Sequence, residues 1–343
     1  MKVKTNLEVL VFSITNRCNL KCSFCSRSAK ITNTQDLDSQ IISKSIEDVM
    51  KYHKPIALGI TGGEPLLYPK LFETLEDIKK YNIPIRLTTN ATLLTCNIAK
   101  EISKLGIEQI NTSLEGHTKE IHDSLRGKGS FEMTLRGINQ LKKFKIPFFI
   151  KTTINKKNHQ YIPEILKLVI NLGAIGFAVS RTIPIGRAYN NWNEIEVSWK
   201  DYKKIIQKSL SIAKKHRINF LIDDPLKCLI DQDIISYALN KYNSLNKVWG
   251  GCRAGVKILY VMSDGSIIPC PALPLTVGNV YEDNIYSIWK NSEVLNKLRE
   301  KENIEGICRD CKYLYICGGC RAMAYATTGN YLESDSFCPF VKI

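Results

Sequence analysis

The chain has 343 residues, 44% of them hydrophobic, and this length suffices for a barrel-sized domain with a smaller second domain. The formal net charge is +15, but the lysines are scattered along predicted helical surfaces and form no single basic tract. We therefore expect no nucleic-acid partner, and the surplus charge favours a substrate rich in carboxylates or phosphates. Residues 7–14 are too short for a membrane span and lack the cleavage site of a secretory signal, so we expect a cytoplasmic protein without membrane contact.

Short β-branched runs alternate with amphipathic segments in the first half of the chain. Strands are predicted at 9–14, 56–60, 85–89, 109–114, 147–154 and 174–180. Helices are predicted at 39–54, 69–81, 94–105, 131–144 and 161–172, with Gly106 and Gly173 as C-caps. This alternation predicts an α/β fold, a partial (β/α)6 TIM-like barrel over 1–195 whose chemistry lies at the carboxyl ends of its strands. A helical bridge at 196–246 and a small cysteine-rich domain at 247–343 are expected to follow.

Three cysteines stand close together directly after the first predicted strand. Cys18, Cys22 and Cys25 have the spacing C-x3-C-x2-C, so one short loop can hold an iron-sulfur cluster. A four-iron cluster takes four ligands and the next cysteine is Cys96, which leaves one iron open. A disulfide framework fits a reducing compartment poorly, and a zinc site is expected to offer paired C-x2-C hooks.

This spacing, together with the run Gly62-Gly63-Glu64-Pro65 after the second strand, resembles the signature of the radical S-adenosylmethionine (SAM) superfamily. The resemblance implies that SAM chelates the open iron of a 4Fe-4S cluster. It also implies a reducing partner such as flavodoxin or ferredoxin. In that family the reduced cluster cleaves SAM to a 5′-deoxyadenosyl radical, which abstracts hydrogen from an unactivated C–H bond.

A SAM pocket is predicted at the ends of the strands. Paired glycines let a ligand lie against bare backbone, and a neighbouring carboxylate can accept from an ammonium group. The resemblance implies contacts to SAM from Gly62, Gly63, Glu64, Asn90, Ser113, Glu115 and Arg181. The family usually has Asp where this chain has Glu115. Ordinary turns and helix caps, and a surface salt bridge for Arg181, are the alternatives.

Seven further cysteines lie in the predicted C-terminal domain. The pattern resembles the SPASM extension, which carries auxiliary iron-sulfur clusters in radical SAM maturases. The resemblance implies one four-iron cluster held by Cys308, Cys311, Cys317 and Cys338. It implies a second auxiliary cluster held by Cys252, Cys270 and Cys320, which lacks an evident fourth thiolate. We interpret Cys228 and Cys96 as structural thiols, although Cys228 is an alternative fourth ligand, and zinc is an alternative metal at the paired C-x2-C hooks.

The auxiliary clusters suggest a net oxidation, because a substrate radical has to lose an electron to become a closed-shell product. A structural or substrate-docking role for them is the alternative. Residues 269–274, 278–280 and 317–329 resemble radical SAM enzymes of haem and tetrapyrrole synthesis, which remove or oxidise acetate and propionate side chains. The second hypothesis is a maturase that cross-links a ribosomally made peptide, which the lack of a separate leader-binding domain ahead of Val9 disfavours. A non-enzymatic electron carrier is the third. We interpret His117, His122 and Asp123 as loop structure and identify no general base.

Overall fold

The computed structural model describes residues 6–29, 35–242 and 250–341, and within these residues ten strands form one continuous sheet. The strands are β1 (Val9–Ser13), β2 (Ala57–Thr61), β3 (Ile85–Thr88), β4 (Gln109–Ser113), β5 (Phe148–Ile154), β6 (Gly176–Arg181), β7 (Asn219–Ile222), β8 (Ile258–Val261), β9 (Ser266–Ile268) and β10 (Gly278–Asn279). Their order across the sheet is β10-β9-β8-β1-β2-β3-β4-β5-β6-β7. The strands from β8 through β1 to β7 pair in parallel with one another, whereas β9 pairs antiparallel with both β8 and β10. The predicted α/β class with a parallel sheet is confirmed.

Helices connect the parallel strands. They are α1 (Ser39–Met50), α2 (Leu71–Lys79), α3 (Cys96–Leu105), α4 (Lys119–Arg126), α5 (Ser130–Lys143), α6 (Ile162–Leu172), α7 (Arg187–Asn190), α8 (Trp192–Ile195), α9 (Trp199–His216), α10 (Asp233–Tyr242), α11 (Ile285–Asn291), α12 (Glu293–Arg299) and α13 (Arg321–Thr328). Gly106 and Gly173 end α3 and α6 in the left-handed region, at φ 66° and 76°, where a side chain would be strained. Within the described residues, no helix is long and apolar enough to cross a membrane.

The sheet crosses both predicted domain boundaries. Strand β7 lies inside the expected helical bridge and pairs with β6, while β8 belongs to the C-terminal region and pairs with β1. The end of that bridge, 243–246, lies outside the described residues. Buried side chains form a continuous core from Phe12 in β1 to Trp289 in α11. The division at 195 and 246 stays a prediction, and the C-terminal region shares one core with the barrel.

Candidate functional site

The cysteine loop follows β1 at the carboxyl end of the sheet. Cys18 and Cys22 are buried and Cys25 is half-buried. Burial raises the pKa of Cys18 to about 11, and negative charge at Cys22 and at Cys25 raises it too, so the three thiols lie near one another. Metal binding deprotonates such thiols outright. The donor set therefore fits the three protein ligands of a 4Fe-4S cluster.

Cluster ligands differ in geometry from the ligands of a single ion. Within the described ranges, no group of three or more His, Cys, Asp and Glu side chains is arranged to hold one metal ion. The ligands of a four-iron cluster do not have to converge on one metal ion, because each thiolate binds a different iron.

A loop after β6 fixes the backbone of the cysteine loop. The Nε of Arg187 donates to the carbonyl oxygen of Cys22 at 2.8 Å, and its backbone N–H donates to that of Cys25 at 2.9 Å. Gly186 has a φ of 58°, and a Cβ there would lie 2.6 Å from the carbonyl oxygen of Cys25. Sequence analysis missed Arg187, since the pattern around it indicates only a loop.

Gly62 and Gly63 lie against the backbone that leads into the cysteine loop. A Cβ on Gly62 would lie 2.7 Å from the carbonyl oxygen of Thr15. A Cβ on Gly63 would overlap the carbonyl oxygen of Arg17. The backbone N–H groups of Gly63 and Glu64 donate to these same oxygens at 2.7 Å each. Glycine is thus required here because two backbones meet, and contact between these glycines and SAM stays a prediction.

Glu64 connects the glycine motif to the end of β3. Its buried carboxylate accepts from Thr89 Oγ1 at 2.6 Å, from the Asn90 N–H at 2.7 Å and from the Leu66 N–H at 3.1 Å. Burial raises the pKa of Glu64, against these hydrogen bonds, which lower it. The Asn90 amide donates to Oδ1 of Asn19, in the cysteine loop, at 2.9 Å. Glu64 and Asn90 therefore hold three predicted motifs in one unit.

Arg126 is a buried cation beside the cysteine loop that sequence analysis assigned no function. Its Nη2 lies 2.9 Å from Oε1 of Glu115, whose other oxygen accepts from the Thr153 N–H at 2.9 Å. Burial lowers the pKa of Arg126, but negative charge at Cys22 and Glu115 raises it overall. Ser113 ends β4 nearby and is half-buried. Glu115 thus compensates the buried charge of Arg126, and the contacts of Glu115 and Ser113 with SAM stay predictions.

His122 and Asp123 stabilise the loop around α4. The Nδ1 of His122 accepts from the backbone N–H of Glu115 at 3.2 Å. Burial lowers the pKa of His122 to about 3, so the imidazole is neutral. Asp123 accepts from the backbone N–H groups of Gly129 and Phe131 at the start of α5. These contacts agree with the interpretation of both residues as loop structure.

Arg181 at the end of β6 pairs with two buried carboxylates. Its Nε lies 3.2 Å from Oδ2 of Asp224, and its two terminal nitrogens bind Asp335. Asp335 also accepts from the backbone N–H of Cys320 at 2.8 Å. The salt bridge considered as the alternative for Arg181 is present, but it lies in the interior and not at the surface, because the side chain is 3% exposed. The predicted contact with the SAM carboxylate stays untested and gains no support, since two carboxylates already neutralise this guanidinium.

Replacing Arg181 by Met is expected to lower the free energy of unfolding by about 3–5 kcal/mol, because Asp224 and Asp335 would remain buried without a cation. Burial already raises the pKa of Asp224, and without the opposing charge of Arg181 its folded-state pKa would lie further above the unfolded one. The deficit should therefore be small at about pH 4 and grow as the pH rises towards 8. Urea unfolding at several pH values measures it. Arg86→Met, which breaks the exposed pair with Glu108, should cost less than about 1 kcal/mol. A deficit that shrinks with rising pH would contradict the interpretation.

The structure brings each predicted set of C-terminal cysteines together. Cys308, Cys311, Cys317 and Cys338 line one pocket. The second set consists of Cys252, Cys270 and Cys320. Burial raises the pKa of Cys270 and of Cys320, and negative charge at Cys252 raises both further, so the three thiols lie near one another. Burial is the largest cause of the rise in the pKa of Cys320, to about 12. Both donor sets fit auxiliary clusters.

Cys228 lies at the four-cysteine pocket. It is fully buried and hydrogen-bonds to Cys317, and this contact is the largest cause of its lowered pKa. The structure therefore places it at the set that already has four cysteines, so Cys228 supplies no fourth thiolate to the three-cysteine set.

Buried cations accompany these thiols. Lys301 is 2% exposed and Arg321 is 3% exposed. Burial lowers the pKa of Lys301, while negative charge at Cys252 and Cys317 raises it. The Nε and Nη2 atoms of Arg321 are buried and have no hydrogen-bond partner within the described residues. An anionic iron-sulfur cluster would compensate the buried positive charges of Lys301 and Arg321, so these residues fit a site that holds such a cluster.

Comparison with known proteins identifies the family. The model of the radical SAM superfamily matches residues 12–169, and that of SPASM, an iron-sulfur cluster-binding domain, matches 252–312. The AdoMet-dependent heme synthase of Methanosarcina barkeri is 35% identical over 344 residues, which cover 96% of each chain. The chain belongs to the radical SAM superfamily. This radical SAM protein is an enzyme, so the hypothesis of a non-enzymatic electron carrier is wrong.

Two further relatives are more distant from this radical SAM enzyme. The mycofactocin maturase MftC of Mycolicibacterium smegmatis is 25% identical and covers 93% of this chain and 79% of its own. The crystal structure of Streptococcus suis SuiB bound to S-adenosylmethionine has a TM-score of 0.78 at 18% identity, over 97% of this chain and 77% of that one. The predicted cofactors, SAM, a 4Fe-4S cluster and auxiliary iron-sulfur clusters, are confirmed for the family architecture. The residues that bind them remain predictions.

Proposed function

We propose that this enzyme oxidatively modifies a carboxylate-bearing side chain of a tetrapyrrole, in a haem-type synthesis. The observation that carries the proposal is the 35% identity over nearly the full length of a protein named AdoMet-dependent heme synthase. SAM and its cluster, when bound, supply the radical that abstracts hydrogen. Cys18, Cys22 and Cys25 would hold that cluster.

An open groove next to the cysteine loop suits a flat macrocycle. It offers about 860 Å³ between the loop after β6, including Gly186 and Tyr189, and the C-terminal α13, including Tyr325. Gly186 contacts the carbonyl oxygen of Cys25, so the groove reaches the cysteine loop. Tyr189 is 67% exposed and presents an aromatic face. We propose that the tetrapyrrole enters here.

Arg27 offers a cation for a substrate carboxylate. Its guanidinium donates to Oγ of Ser13, at the end of β1, and its Nε is buried without a hydrogen-bond partner within the described part of the chain. Tyr260 of β8 lies beside Val11 of β1, on the neighbouring strand. Burial raises the pKa of Tyr260 and positive charge at Arg27 opposes this rise, which supports a position of the two groups near one another. We propose that Arg27 and Tyr260 bind the carboxylate of the side chain that reacts.

The cellular compartment and the reducing partner are proposed from less specific observations than the substrate. No disulfide joins any of the twelve cysteines, all of which lie in the described residues, and we propose a cytoplasmic enzyme reduced by a flavodoxin or ferredoxin. Maturation of a ribosomally made peptide is the second candidate, favoured by the similarity to the maturase MftC.

The deciding assay is anaerobic incubation of the reconstituted enzyme with SAM, dithionite and iron coproporphyrin III. We expect 5′-deoxyadenosine together with a porphyrin that has lost one CO2 and two hydrogen atoms from a propionate. Arg27→Met should weaken porphyrin binding about tenfold or more, because a charge-assisted hydrogen bond is lost, whereas the surface variant Arg86→Met should bind normally. Unchanged porphyrin beside rapid SAM cleavage would contradict the tetrapyrrole proposal, and modification of a precursor peptide would replace it.

A further inference from the structure

Two glycines separate the predicted auxiliary cluster sites. Cys317 lines the four-cysteine pocket, whereas Cys320 lies with the other set. Between them, Gly318 and Gly319 both adopt left-handed backbone conformations, at φ 64° and 66°. Any charge buried beside this segment is therefore close to ligands of both sites.

Lys301 lies against the first glycine. Its ammonium group donates to the carbonyl oxygen of Cys317 at 3.4 Å. A Cβ on Gly318 would lie 2.5 Å from Nζ, so a side chain at this position would displace the lysine. Negative charge at Cys252 acts on the same ammonium group, which places Lys301 near ligands of both sets.

Arg321 lies against the second glycine, in the first turn of α13. Its Nη1 donates to the carbonyl oxygens of Tyr331 and Glu333, at 3.1 and 2.8 Å. A Cβ on Gly319 would lie 2.7 Å from Nη2. Both Nε and Nη2 remain buried without a partner, and no carboxylate of the described residues forms an ion pair with this guanidinium.

The charge balance distinguishes Arg321 from its buried neighbour Arg181. Two carboxylates neutralise Arg181, so it adds no net positive charge to the cysteines. Arg321 has no such counter-charge, and Lys301 contacts the backbone of a cluster ligand. Reduction of a cluster adds one negative charge, which a nearby cation in a low-dielectric interior stabilises.

We propose that Lys301 and Arg321 raise the reduction potentials of the auxiliary clusters and so make them electron acceptors. The step is the transfer of one electron from the substrate radical to an auxiliary cluster, which oxidises the radical to a closed-shell product and reduces the cluster, with no proton transferred to the cluster. The proposal rests on the predicted cysteine ligands and does not depend on the tetrapyrrole substrate.

The test is a potentiometric titration followed by electron paramagnetic resonance. A full-length background with Cys18, Cys22 and Cys25 replaced by Ala retains only the auxiliary clusters. In that background, Lys301→Met and Arg321→Met should each lower the ratio of reduced to oxidised auxiliary cluster, at a fixed solution potential, by about tenfold, which is about 59 mV for one electron. Iron counted per chain shows separately whether the clusters are present.

Charge-retaining variants and a variant of a third buried cation provide the controls. Lys301→Arg and Arg321→Lys should keep the parent potentials. Arg299→Met removes a guanidinium that stacks on Trp289 and whose pKa is lowered by burial alone, so it should also leave the potentials unchanged. Should a Met variant fail to load iron, Lys301→Gln or Arg321→Gln, which keep a hydrogen-bond donor without the charge, should show the same decrease. Parent potentials in the loaded neutral variants, or equal shifts in the charge-retaining ones, would overturn the proposal.

Discussion

Replacing Cys22 by Ala is expected to lower the formation of 5′-deoxyadenosine more than about a hundredfold. Loss of a group that only orients a metal ligand lowers metal affinity or activity about ten- to a hundredfold, and Cys22 is a predicted ligand itself. Cys22 is buried among the three thiols of the loop, and its charge acts on Arg126. Without its sulfur the loop retains two ligands and the cluster is lost. Iron should fall from about twelve to about eight per chain, with the auxiliary clusters still present. Iron analysis and chromatography of 5′-deoxyadenosine after addition of dithionite measure both effects.

Cys96→Ala is the matched control. Cys96 begins α3, is exposed and is the nearest cysteine in the chain after the loop. This variant should keep the iron content and the rate of SAM cleavage of the parent. Parent rates of 5′-deoxyadenosine formation in Cys22→Ala would show that the loop does not hold the SAM-cleaving cluster.

Local pattern was enough to predict the barrel strands. The six runs of β-branched residues became β1 to β6 because each is buried on the sheet and bounded by turn residues. Strand β7 escaped prediction, since Asn219 and Leu221 are exposed and only Ile222 is buried, so no apolar alternation marks it. The pairing of β8 with β1 joins residues about 250 positions apart, which no local pattern specifies.

The cysteine ligands could be predicted because their spacing is a local property of the chain. The buried arginines could not. The pattern around Arg126 indicates a surface residue, and that around Arg181 gives no sign of its two buried partners, since arginine is rarely fully buried unless it is paired. Their partners lie in distant segments: Asp335, which pairs with Arg181, is 154 residues away. The steric requirement for glycine at position 63 could not be predicted either, because the backbone that Gly63 contacts belongs to another loop.

Replacing Cys317 by Ala is expected to separate SAM cleavage from product formation. Cys317 is a buried member of the four-cysteine pocket, and its sulfur accepts from the backbone N–H of Gly319 at 3.4 Å. Its loss removes a ligand from an auxiliary cluster but leaves the loop after β1 intact. We expect 5′-deoxyadenosine at a rate within about threefold of the parent and product lowered more than about a hundredfold, since an electron acceptor is missing. Single-turnover assays that count both compounds measure the ratio.

Cys228→Ala provides the internal comparison for this prediction. Cys228 is buried, contacts Cys317 and is not assigned to a cluster, so its loss perturbs the same pocket without removing a predicted ligand. The variant should keep the parent iron content and yield of product. If Cys317→Ala kept full product formation, the clusters would not act as electron acceptors. If Cys228→Ala instead lost about four irons, Cys228 would be a ligand and the assignment of the four-cysteine set would have to change.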